Sequence, residues 1–183
     1  MNREQFDQLY SAGVLDSARA EYLWLPEMEF FPPEQAESHI LNAGARRDGL
    51  TAFAVTGGGD LFCWDAQDRI WLMPPDGGNG AYFAANLGDA VYRRLLEFAS
   101  DAFGTFCSDA EKKILPPDEA DGVISHSEAL AMLAEYDAGF GQLLSPLQHD
   151  VLRALMHGGF DKDGVLLTDD ARNALIGAML YPV

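Results

Sequence analysis

The chain is expected to be α+β: a mainly antiparallel sheet of about four to six strands, helices packed against it, and a C-terminal helical extension. Three observations predict this. Two short apolar runs, Thr51–Thr56 and Leu61–Trp64, flank Gly57-Gly58-Gly59-Asp60, the pattern of a β-hairpin. Stretches with helical periodicity bracket the strand region. Beyond residue 104 the strand patterns give way to helix-start signals.

In chain order, residues 3–12 place Phe6, Leu9 and Tyr10 on one helical face, with Gly13 as the stop. Tyr22-Leu23-Trp24-Leu25, interrupted by Pro26 and resumed at Met28-Glu29-Phe30-Phe31, reads as a strand or hairpin around the proline. Pro32 and Pro33 open a helix with Glu34 in its first turn and Ala36, Ile40 and Ala43 as its stripe; Gly44 ends it. A polar link, Arg46-Arg47-Asp48-Gly49, leads to the two hairpin strands. Ile70–Met73 is a third strand of this region, beyond turn residues 65–69. The run from Pro74 to Gly80 is dense in turn formers and reads as a loop. Ala81–Ala84 is a weaker strand pattern. Asn86 or Asp89 then caps a helix running to about Ala102, striped by Val91, Leu95 and Phe98. Strands joined by turns pair antiparallel, which gives a meander with helices on one face.

Residues 1–104 are expected to form this α+β domain, and residues 105–183 a linker and helical extension packed on it. The linker reading covers 104–122, with Lys112-Lys113, Pro116-Pro117 and an acidic run ending at Gly122. Three helices follow. Ser125-x-x-Glu128 and Ser145-x-x-Gln148 match a capping box, and Pro146 sits at the first helical position. Thr168 or Asp169 caps the last helix. Gly139-Phe140-Gly141 and Gly158-Gly159 supply the stops.

Composition bounds the function. The formal charge is −17, from 29 acidic and 12 basic residues. Neither half is basic, which argues against nucleic acid and against an anionic membrane surface as partners. A diffuse negative field instead speeds encounter with a basic protein. Cys63 and Cys107 sit among aromatic residues and make no disulfide framework; both read as buried, reduced thiols. With no signal-peptide core in its first ten residues and no membrane-length apolar run, the chain is expected to be cytoplasmic.

No motif carries an enzyme chemistry. The glycine turn is followed by a strand rather than by a helix that could face a phosphate, so it reads as a turn. His39, His126, His149 and His157 show no metal-ligand spacing. Asp161-Lys162-Asp163-Gly164 opens like a calcium loop but lacks its later glycine and glutamate, and reads as a turn between helices. No serine occupies a nucleophile elbow. Asp60, Asp65 and Asp68 cluster around the hairpin as exposed turn aspartates, and Trp64 and Trp71 lie on neighbouring strands, packed in the core or paired in an aromatic patch. The chain is expected to be no enzyme and to need no cofactor or metal.

The stretch Phe53–Asp65, FAVTGGGDLFCWD, followed by Ile70–Met73 and the capped helix Asn86–Phe98, resembles the SUKH superfamily of Smi/Knr-like proteins. The segment Tyr22–Phe30 also looks like that of short bacterial members, and the resemblance spans about residues 5–103. It implies an α+β fold without catalytic residues. It further implies a bacterial immunity protein that binds and neutralises a cognate toxin, often a nuclease. Residues 104–183 have no counterpart in it. Partner binding is assigned on charge and turn exposure to Asp60, Asp65, Asp68, Trp71 and Asp76. The alternative is a regulatory or scaffold module that binds an endogenous protein through its C-terminal helices.

Overall fold

A computed structural model describes residues 3–36, 49–76 and 78–180. The chain divides into two compact units, Met1–Arg94 and Leu95–Val183. The class is α+β, as the strand and helix patterns predict.

In the first unit, α1 (Arg3–Ser11) stops at Gly13, whose φ of 88° suits glycine. Five strands follow: β1 (Glu29–Phe30), β2 (Thr51–Val55), β3 (Leu61–Trp64), β4 (Ile70–Met73) and β5 (Ala81–Ala84). They form one sheet in sequence order, every pair antiparallel. A short helix, α2 (Pro33–Ala36), lies between β1 and β2, and α3 (Leu87–Ala99) follows β5 and runs on into the second unit from Leu95. The rest of the helix expected to reach Gly44, with Ile40, Ala43, His39 and the Arg46-Arg47-Asp48 link, lies outside the described residues.

The core of this unit is an aromatic layer. Phe53 stacks on Trp64 at 4.0 Å between ring centres, and Phe6 of α1 meets Trp64 edge-on at 5.2 Å. Phe62 meets Phe83 edge-on at 5.0 Å. Arg94 of α3 places its guanidinium 4.9 Å from the Phe62 ring, and Arg93 lies 4.1 Å from that of Phe83. A register shift between Ala52 and Ala54 interrupts the alternation of β2 and leaves three successive residues buried. The opposite face carries a smaller cluster of Ala52, Cys63 and Met73, flanked by Phe31, Leu50, Leu61 and Trp71.

Two expectations change in this unit. Tyr22–Leu25 form no strand: Leu23 donates its N–H to the Val14 carbonyl, and a turn closes from Leu25 to Met28. Trp64 and Trp71 do not share a patch. Trp64 is paired with Ile70 and Trp71 with Cys63, so they sit on opposite faces of the sheet.

In the second unit, the 104–122 stretch holds ordered elements where a linker was expected. β6 (Phe106–Cys107) pairs parallel with β7 (Ile124–Ser125), and α4 (Asp109–Lys112) and α5 (Pro117–Ala120) lie between them. Ser108 and Glu111 close a capping box on α4, a local signal that the lysine and proline content masks. The expected helices are α6 (His126–Gly139), α7 (Pro146–Gly158) and α8 (Asp169–Leu180). Both predicted capping boxes form, and Ala171 donates its N–H to the Thr168 hydroxyl at 3.3 Å. Asp161–Gly164 is the turn before α8, with Asp161 Oδ1 accepting the N–H groups of Asp163 and Val165. Tyr136 and Phe106 both meet Phe98 edge-on, which ties α6 and β6 into one aromatic core.

Among the described residues, no helix is long and apolar enough to cross a membrane.

Candidate functional site

The residues assigned to partner binding from sequence fall at two ends of the β3–β4 ladder. Leu61 pairs with Met73, which puts Asp60 and Asp76 beyond one end; Trp64 pairs with Ile70, which puts Asp65 and Asp68 beyond the other. Asp60 belongs to the glycine turn. Its N–H donates to the Thr56 hydroxyl at 3.0 Å, and Gly59, at φ 88°, donates to the Thr56 carbonyl at 2.9 Å. Asp76 is exposed and accepts the N–H of Gly78.

At the other end, Asp65 and Trp71 are brought together. One carboxylate oxygen of Asp65 accepts the Trp71 indole N–H at 3.0 Å and the Arg69 Nε–H at 2.7 Å. The other accepts the backbone N–H groups of Gln67 and Arg69. Burial pushes this carboxyl up, but the indole, the guanidinium and the two backbone donors outweigh it and hold it below the usual range. Asp68 adopts φ 61° in the same turn. This constellation orders a hairpin rather than presenting free carboxylates.

A second site was not legible as such in the sequence. Trp24, Leu25, Glu27, Met28, Glu29, Val55 and Gly57 line a groove of about 250 Å³. The segment 25–28 is a β-turn in which Met28 donates to the Leu25 carbonyl at 3.1 Å. Pro26 supplies the first central residue, and Glu27 takes φ 55° at the second, where glycine ordinarily stands. The Glu27 side chain reaches thirty residues along the chain and accepts the Gly57 N–H at 2.9 Å. A Cβ on Gly57 would lie 3.0 Å from that carboxylate, so glycine permits the close approach. Trp24 is 51 % exposed, the most exposed of the large aromatic side chains described. Glu29, exposed on the short edge strand β1, acts through its charge on Tyr22, whose hydroxyl is pushed up first by burial and then by that charge.

Several other polar groups hold local structure. His149 donates Nδ1–H to Asp137 and Nε2–H to the Gly141 carbonyl at 3.0 Å. His126 stacks on Phe160 at 3.9 Å, and His157 is exposed. Glu128 accepts both the Ser125 N–H and the Lys112 ammonium, at 2.7 and 2.5 Å. Cys63 is fully buried and its thiol is pushed up to about 12 by that burial; Cys107 is only half-buried, in contrast to the expectation. Among the described residues no group of three or more His, Cys, Asp or Glu side chains could hold a metal ion.

No protein-family model, curated protein or solved structure matches the chain.

Proposed function

We propose that this chain is a non-enzymatic protein-binding module of the immunity type, which binds a basic bacterial toxin domain, such as a nuclease, and neutralises it by occlusion. The SUKH-like order of strand, glycine turn, aromatic strand and capped helix supports the reading. The observation that carries it is the half-exposed Trp24 beside Glu27 and Glu29, on a chain of formal charge −17. Depleted positive charge and an exposed aromatic anchor are what an interface for a cationic surface needs.

The test is a pull-down of the tagged full chain from its native cells at low and raised salt, with the bound proteins identified. A basic toxin domain whose recovery falls as salt shortens the screening length is the expected result. Recovery of only acidic or neutral partners, indifferent to salt, overturns the reading.

A scaffold role is the second reading. Ile114 and Leu147, 83 % and 73 % exposed in the second unit, favour it as apolar contacts for an endogenous partner. On that view Ile114→Ser with Leu147→Ser abolishes capture while leaving the helix content unchanged.

A further inference from the structure

We infer that the groove at the β1–β2 end of the sheet seats one arginine side chain of a basic protein partner; this rests on the partner-binding reading above. Size, chemistry and field each select that occupant.

At about 250 Å³ the groove falls below the range of roughly 300–1,000 Å³ typical of small-molecule pockets, so it suits a single long side chain better than a whole substrate. Its chemistry is divided. Trp24 offers an exposed indole face, Leu25, Met28 and Val55 an apolar floor, and Glu27 and Glu29 two carboxylates. A guanidinium uses all three: its plane stacks on indole, its methylenes cover apolar surface, and its fork of donors meets carboxylate oxygens.

Glu27 is held in place for this. Its bond from the Gly57 N–H occupies one acceptor position and fixes the side chain against the hairpin, and a carboxylate has about four such positions. Lysine would gain the charge attraction but lose the planar stacking and the bidentate contact. The complement is also global: sixteen acids against seven bases in residues 1–104 give this part of the chain a net negative charge that attracts a cationic partner.

The test is an NMR titration of the full chain with a Gly-Arg-Gly-Arg-Gly peptide and with its citrulline counterpart, which has the same shape without the charge. The Gly57 amide reports in every variant, since its hydrogen goes to Glu27. Saturable shifts of the Gly57 amide and the Trp24 indole with the arginine peptide are expected, and none with citrulline. Trp24→Leu, and Glu27→Gln with Glu29→Gln, should each weaken the apparent Kd by about fivefold or more. Glutamine keeps an acceptor for the Gly57 N–H, so the turn survives. Equal shifts with citrulline, or variants that titrate like the wild type, overturn the inference. The pull-down, repeated with the same variants, separates the two ideas. Undiminished, salt-sensitive capture of a basic toxin by the variants removes the groove but keeps the immunity reading. Failure of the wild type to capture any basic partner removes that reading, while the peptide titration still decides the groove.

Discussion

His149 of α7 and Asp137 of α6 form a charge-assisted bond that joins two helices at the turn between them. Both ring nitrogens face acceptors, the Asp137 carboxylate and the Gly141 carbonyl, an arrangement that favours the imidazolium form. Its pKa is raised, chiefly by the Asp137 bond and then by Gly141, against opposing burial and the nearby Arg153 charge. A raised value means the contribution is complete below the unfolded pKa of about 6.5 and is lost as pH climbs through the folded one. His149→Gln should therefore lower stability by about 1.5 kcal/mol at pH 5.5, and by clearly less at pH 9. Urea denaturation at both values checks this; an equal loss at each refutes it.

Asp65 gives the opposite sign. Its depressed pKa means that its contribution is present above the unfolded value of about 3.9 and lost as pH falls through the folded one. Asp65→Asn places an NH₂ among donors, and should cost about 1–2 kcal/mol at pH 7 with a shift in Trp71 emission. The gap between variant and wild type should narrow in acid. A gap that persists there would mean the side chain acts through shape alone.

Gly80 is required by its neighbour. A Cβ there would stand 2.0 Å from the sulfur of Met73, which is fully buried, and 3.2 Å from the Leu72 carbonyl. Gly80→Ala should cost about 1–3 kcal/mol by overpacking. Combining it with Met73→Ala should cost less than the two single changes added, because the shortened side chain vacates the clash. Strict additivity in thermal melts would count against the contact.

The capping boxes should differ in weight. Ser125 is buried, and its partner Glu128 also holds Lys112, whose ammonium reaches the Val123 carbonyl at 2.8 Å. Ser145 caps α7 with Gln148 and is exposed. Ser145→Ala should cost about 1 kcal/mol, and Ser125→Ala more. Urea midpoints of the two variants measure the ranking.

What the sequence determined by itself is what neighbouring residues decide. The hairpin at Gly57–Gly59, the stop at Gly13 and the boxes at Ser125 and Ser145 depend on contacts within about four residues, so composition and spacing carry them. Tertiary structure alone decided the rest. Glu27 meets Gly57 across thirty residues, and His149 meets Asp137 across twelve; neither pair has a local signature. Trp64 and Trp71 are separated because strand register, set by the Asp65–Arg69 turn, sends adjacent positions to opposite faces. The same folding brings the Trp71 indole onto the Asp65 carboxylate, because the β3–β4 register sets that strand position beside the turn, and it leaves the Trp24 indole half in solvent.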